Sequence, residues 1–281
     1  MITAVDPQGL KEKAAWIRRQ VFEMIVSAGR GHIGGSLSCV DILVALYHGG
    51  VLRFDARNPQ WAWRDRFIFS KGHSSEALYA VLADLGFFPV DDLYTYGQSG
   101  SRLGGHVDNL IPWIEIGTGS LGHGLGIGAG LALCAKLDKK NYLTYVLLGD
   151  GECYEGSIWE AAMFSGHHRL NNLIAIVDRN RQITLDYTED CNRLEPFDYK
   201  WRAFGWDVDT VDGHSFDELL GAFRQVKSRS SSQPAVIITN TIKCKGISFI
   251  EGNLQWHHNV PKADQIEIAR KELSRSAPGR I

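Results

Sequence analysis

A chain of 281 residues, 44% of them hydrophobic, is long enough to bury a substantial core as one large domain or two small ones. Its 30 basic and 32 acidic residues leave a net charge of −2, which argues against a nucleic-acid binder or a polybasic membrane binder. No apolar run reaches membrane-spanning length, and the opening MITAVDPQGLKEKAAWIRRQ lacks an apolar signal core, so the expected location is the cytoplasm. Cys39, Cys134, Cys153, Cys191 and Cys244 form no CxxC pair and read as reduced thiols.

In chain order, residues 8–28 carry Leu10, Ala14, Ile17, Val21, Met24 and Ile25 near helical spacing and predict an amphipathic helix. A glycine-rich turn follows from Gly29 to Gly35, and Ser36 is placed to cap a second helix over 37–48. Arg66 to Ser70 reads as a short strand and Ser74 to Gly86 as a helix. Residues 119–137, rich in Gly, Ala and Leu, read as a closely packed buried helix. Tyr142 to Leu148 is an apolar strand ending in Gly149-Asp150-Gly151, and 156–169 is a helix whose trailing His167 and His168 face solvent. Leu173 to Val177 and Ala235 to Thr239 are further apolar strands. Apolar strands alternating with helices predict an α/β fold with a parallel sheet covered on both faces. In such sheets ligands bind beyond the carboxyl ends of the strands, where Asp150 and Asn180 both fall.

Gly149-Asp150-Gly151-Glu152, followed thirty residues after Asp150 by Asn180, is the central motif. Gly-Asp-Gly alone also makes an ordinary βα turn. The spacing adds meaning, because one helical crossover brings Asn180 beside Asp150. A carboxylate and an amide oxygen, completed by a backbone carbonyl and phosphate oxygens, suit Mg²⁺ or Ca²⁺. The glycines admit a phosphate to the backbone, and a following helix would point free N–H groups at it. That dipole is worth roughly 0.3–1 kcal/mol, up to about 2, whereas micromolar binding needs about 8 kcal/mol, so a bridging divalent ion is expected to supply the difference.

GDGECYEGSIWEAAMFSGHHRLNNLIAIVDRN resembles the thiamine-diphosphate signature as transketolases carry it. SAGRGHIGGSLS, RDRFIFSKGHSSEALYAVLADLGF, GGHVDNLIPWIEIGTGSLGHGLGIGAGLA and WHHNVP resemble four further transketolase segments, in family order, through nearly the whole chain. The resemblance implies a thiamine-diphosphate-binding fold, specifically the diphosphate-binding domain, spanning residues 1–281 as a single domain. It implies metal ligation by Asp150, Asn180 and the backbone carbonyl of Gln182, or of Ile183, because the segment Asn180 to Asp186 holds one residue more than the family pattern. Gly151 would offer its N–H to the diphosphate, and Glu155 would support the metal site from behind. His73 and His258 would contact the diphosphate or the substrate path. His106 would hydrogen-bond the donor's oxygens. His32 with His258 would move protons, with His257 the alternative because WHH leaves the register open by one. Imidazole suits that work by donating and accepting near neutral pH. Gly119 and Leu121 would face the thiamine rings. Ser120 and His123 stand where the family usually has Pro and Gln.

Gly124 to Ala129 also resembles a dinucleotide fingerprint, but no convincing strand precedes it, and tight helix packing is the preferred reading. Family members with both halves are much longer chains whose second domain supplies the glutamate that activates the cofactor. The expectation is therefore a partner subunit carrying the pyrimidine-binding and C-terminal domains, in a dimer of heterodimers (a heterotetramer); the alternative is that the chain is a truncated piece of a longer one. The implied activity moves a two-carbon ketol unit from a ketose phosphate to an aldose acceptor. The rivals are half of another thiamine-diphosphate enzyme (a 2-oxo acid dehydrogenase α subunit or a deoxyxylulose-phosphate-synthase-like protein), a non-catalytic homologue, or a plain nucleotide-binding module.

Overall fold

The computed structural model describes residues 6–275. Five strands, β1 (Arg66–Phe69), β2 (Thr144–Gly149), β3 (Leu173–Arg179), β4 (Asp207–Asp212) and β5 (Ala235–Asn240), form one sheet in the order β1-β2-β3-β5-β4. Every pair is parallel, so all five carboxyl ends share one edge. The apolar strands alternate between two cores. Tyr145, Leu147, Ile174, Ile176 and Ile237 face one side, while Val146, Leu148, Ala175, Val177 and Ile238 face the other. Each fully buried aliphatic side chain here contributes about 1.5–3 kcal/mol.

The first face is covered by α1 (Pro7–Ala28), α2 (Ile33–Ser38), α3 (Val40–Tyr47), α4 (Ser75–Asp84), α9 (Phe216–Ser228) and α10 (Ala263–Arg275); the second by α5 (Gly124–Leu137), α6 (Gly156–His167) and α8 (Phe197–Ala203). A short α7 (Thr188–Cys191) lies between β3 and α8. Asp6 caps α1 by accepting from the Gly9 N–H at 2.7 Å, and Gly29 ends it at φ 64°. At Gly128 a Cβ would lie 2.5 Å from Val146 Cγ2, so this glycine lets α5 close onto β2. The glycine run therefore serves packing, and the stretch before it is turn rather than strand.

The predicted elements need three corrections. The helix expected over 37–48 begins at Ile33 and breaks at Cys39. Ser36 caps nothing, because its hydroxyl donates to Glu76 Oε2 at 2.6 Å. The helix expected from 119 begins at Gly124, after a turn in which Gly122 has φ 89°. The chain also forms β4, α9 and α10, which the apolar pattern did not predict.

A buried carboxylate fastens the first helical layer. Asp41 on α3 accepts from Arg18 on α1 at 2.5 and 3.1 Å and pairs with His214 Nδ1, beyond β4, at 2.7 Å. Burial opposes its charge, but the Arg18 cation and the hydrogen bonds from His214 and Arg18 outweigh it and hold the carboxyl below the usual range. A depressed carboxyl adds stability above its unfolded value of about 3.9 that is lost as pH falls through the folded value. Asp41→Asn is expected to cost roughly 3 kcal/mol at pH 7. In urea melts, the gap from the native chain should shrink below about pH 4; a gap independent of pH would contradict this assignment.

Candidate active site

Every strand hands a polar segment to the carboxyl edge. β2 delivers Asp150, which is buried. Its Oδ1 accepts from the Gly151 N–H at 2.8 Å and its Oδ2 from the Arg181 N–H at 2.6 Å, with Arg179 Nη1 at 3.5 Å. Because Gly149 stands opposite Asp178 in the register, Asp150 and Asn180 leave neighbouring strands side by side. Asn180 Oδ1 accepts from the Gln182 N–H at 3.1 Å. Burial, then the charge of Asp178, raises the Asp150 carboxyl to about 6 against the pull of Arg179. At Gly151 a Cβ would collide with Ile183 Cγ2, so glycine is the residue that fits.

These residues fit a divalent cation held jointly with a phosphate. Among the described residues no three His, Cys, Asp or Glu side chains converge as a self-sufficient cage. Asp150 and Asn180 offer two oxygens, and carbonyl and phosphate oxygens would have to complete the shell. Lys243 Nζ lies 3.4 Å from the Gln182 carbonyl and 3.1 Å from that of Ile183, so both candidate carbonyls face the same corner. Lys243 is buried, and burial lowers it to about 8.

Beneath this corner, Lys71, which follows β1, donates to Asp178 on β3 and to the Gly35 carbonyl at 3.0 Å. Asp178 also accepts from Ser38 at 2.6 Å and from Thr241. Glu152 is buried and accepts from Ser70, from the Gly122 N–H at 2.9 Å and from the Gly149 N–H at 3.0 Å. It joins the Asp150 turn to the segment expected to face thiamine. Glu155, expected behind the metal, is exposed and lies against Gly122. Residues Gly151–Tyr154 form a 3-10 turn, so the α6 N-terminus lies further from Asp150 than the sequence suggests.

The histidines converge. Around His32, ring centroids lie at 5.3 Å (His73), 5.7 Å (His106), 5.8 Å (His257) and 4.9 Å (His258). His257 stacks on His73 at 5.8 Å, whereas His258 is the more exposed of the two. Both candidates thus border His32, and His257 lies deeper. Gly119 backs His106, since a Cβ there would lie 3.3 Å from the imidazole, and Leu121 is half-buried in the same loop. His167 and His168 are exposed, as expected. Burial, then His258 and His106, lowers His32 to about 4; burial, then Lys243, lowers His257 to about 3; burial, then Lys71, lowers His73. At pH 7 these three rings are neutral and can each donate and accept. Nδ1 of His32 and of His257 is buried without a partner among the described residues.

The domain family described as "Transketolase, thiamine diphosphate binding domain" matches residues 10–278. The chain belongs to the transketolase family. It is 45% identical over 257 residues to an apulose-4-phosphate transketolase subunit of Phocaeicola vulgatus, covering 92% of this chain and 91% of that protein. It is 44% identical over 267 residues to "6-deoxy-6-sulfo-D-fructose transketolase subunit SqwG" of a Clostridium species, covering 95% and 96%. The crystal structure of Campylobacter jejuni transketolase superposes with a TM-score of 0.90 at 31% identity, over 96% of this chain and 43% of that one. The fold is thus the thiamine-diphosphate-binding fold of the transketolase N-terminal region, and the chain spans under half of such full-length transketolases.

Lys71 and Lys243 lie at the same edge without having been singled out in the sequence, and Glu152 was named there only as part of the central motif. For Lys243 a signal was available: a cation just beyond the apolar run Ala235–Thr239, where sheet ligands bind. Imidazole NMR titration should show no protonation step for His32, His73 or His257 between about pH 8 and pH 5.5; a step near the ordinary value of about 6.5 would contradict the burial argument.

Proposed function

We propose that this chain is the cofactor-binding subunit of a two-subunit transketolase, moving a two-carbon ketol unit from a ketose phosphate to an aldose acceptor. The observation that carries the reading is the placement, at one sheet edge, of the Asp150–Asn180 corner beside histidines gathered around His32. In this reading Asp150, Asn180 and the carbonyl of Gln182 (or Ile183) hold Mg²⁺ or Ca²⁺. The Gly151 N–H, which here donates to Asp150 Oδ1, would turn to the diphosphate of thiamine diphosphate together with His73 and Lys243. Gly119 and Leu121 border the rings. When bound, that cofactor supplies the carbanion that attacks the ketose carbonyl.

The chain's own residues then handle position and protons. His106 hydrogen-bonds the donor oxygens. His32, with His258 or His257, accepts and returns the hydroxyl proton as the carbon–carbon bond breaks. Burial keeps His32 and His257 neutral at pH 7, so each ring presents an acceptor nitrogen. Two relatives are named as transketolase subunits and match this chain over more than 90% of their own length, which supports a separate partner. That partner would carry the pyrimidine-binding and C-terminal domains, with residues 1–281 forming one diphosphate-binding domain. The assembly would be a heterotetramer, with sugar phosphates as substrates, no nucleic-acid or membrane partner, and a cytoplasmic location.

Co-expressed with its partner, the chain should transfer the ketol unit, and neither polypeptide should do so by itself. Asp150→Ala should lower kcat/KM at least about 100-fold, the scale set by losses at metal sites. Turnover of pyruvate without a ketose donor would place the chain with the 2-oxo acid enzymes instead.

A further inference from the structure

We propose that Arg30 reads the anionic end of the sugar substrate, its guanidinium forming an oxyanion subsite in the cavity that opens on His32 and His258. This inference rests on the transketolase reading and adds a specificity-determining residue to it. The cavity is about 340 Å³, within the range of small-molecule sites, and its lining holds no acidic residue among the described residues. Within that lining Arg30 is the only arginine or lysine.

The side chain is seated by a glycine. Gly97 has φ 67°, and a Cβ there would lie 2.9 Å from Arg30 Nε and 3.2 Å from Nη2. The Gly97 N–H donates to the Leu103 carbonyl at 2.8 Å, which fixes the turn under the guanidinium. Among the described residues, no carboxylate or carbonyl accepts from Arg30. Arg102 and Arg18 are by contrast committed, to Asp92 at 2.6 Å and to Asp41 at 2.5 Å. Apart from the two histidines, the other polar side chains of the rim hydrogen-bond within the protein. Gln98 Nε2 donates to the Tyr94 carbonyl at 2.9 Å, Ser101 Oγ bonds Thr95 Oγ1 at 2.7 Å, and the Tyr96 hydroxyl donates to Glu76 at 2.6 Å. Arg30 therefore contributes an uncommitted fork of donors.

Its distance along the chain suits the task. Two residues span at most about 7 Å, so Arg30 is tied to the histidine that handles the reacting carbons while its guanidinium lies against Gly97 in the same cavity wall. A planar guanidinium takes a phosphate ester or a sulfonate through paired, charge-assisted hydrogen bonds. The recognised chemistry is a tetrahedral oxyanion on the carbon furthest from the reacting carbonyl.

The test uses the two-subunit assembly with a ketose donor and three-carbon aldehyde acceptors bearing a terminal phosphate, a terminal sulfonate or a hydroxyl. The readout is the ratio of kcat/KM for each anionic acceptor to that for the neutral one, in the native enzyme, Arg30→Gln, Arg30→Lys and the control Arg102→Gln. The ratio cancels any general loss from misfolding. Arg30→Gln should lower it by about 10- to 100-fold, the worth of a hydrogen bond to a charged group. Arg30→Lys should restore part of the loss, and Arg102→Gln should leave the ratio unchanged. Loss with only one of the two anions identifies it as the one that is read. An unchanged ratio in Arg30→Gln overturns this inference while leaving the transketolase reading intact. No turnover of any acceptor by the native assembly overturns that reading and this one together.

Discussion

The ammonium of Lys71 is buried against the carboxylate of Asp178, and the functional edge of the sheet depends on that contact. Through it and its hydrogen bonds, the segments following β1 and β5, the end of β3 and the glycines of α2 meet at one point. A buried pair is weak evidence of net stability, but removing one partner leaves a stranded charge and costs about 3–5 kcal/mol. Burial opposes both charges, yet the attraction holds Asp178 below and Lys71 above its ordinary value. The adjoining glycines permit the closeness. At Gly35 a Cβ would lie 2.6 Å from Ser74 Oγ, and at Gly34 it would lie 2.7 Å from the Trp256 carbonyl. His73 and the His257 segment can therefore reach His32 only because α2 has no side chains there.

The electrostatics of that edge favour an anionic ligand. Lys71 is held charged beneath it, Lys243 borders it, and the three deepest histidines are neutral rather than competing for the same space as cations. Asp150 stands out in the other direction. It is a buried carboxylate raised to about 6, and among the described residues its only cationic contact is Arg179 at 3.5 Å. A divalent ion shared with a diphosphate would satisfy both features, because it neutralises the carboxylate and brings the negative charge the cations accommodate.

What was legible in the sequence follows from locality. Tyr142–Leu148 and Leu173–Val177 are continuous apolar runs, so their carboxyl ends and the residues beyond them, Asp150 and Asn180, are easily placed. The histidines are legible only through motif resemblance, since nothing local says that His32, His106 and His257 meet. Glu152 sits inside the central motif, yet its partners Ser70 and Gly122 are distant in sequence. The break at Cys39 is equally non-local: Ser36 and Ser38 spend their hydroxyls on Glu76 and Asp178. The run Asp207–Asp212 is too polar to read as a strand and is one because β5 pairs with it at the sheet's edge. α9 did carry a signal, the Ser215-x-x-Glu218 start, where Ser215 accepts from the Glu218 N–H at 3.3 Å.

Binding of a diphosphate at the Asp150–Asn180 corner through a divalent ion is the proposition on which the rest turns. Calorimetric titration of thiamine diphosphate into the assembled subunits, with Mg²⁺ and with chelator, addresses it without intermediaries. Binding should require Mg²⁺ and should be lost in Asn180→Ala. Equal affinity with and without Mg²⁺, or full affinity in the variant, would refute it.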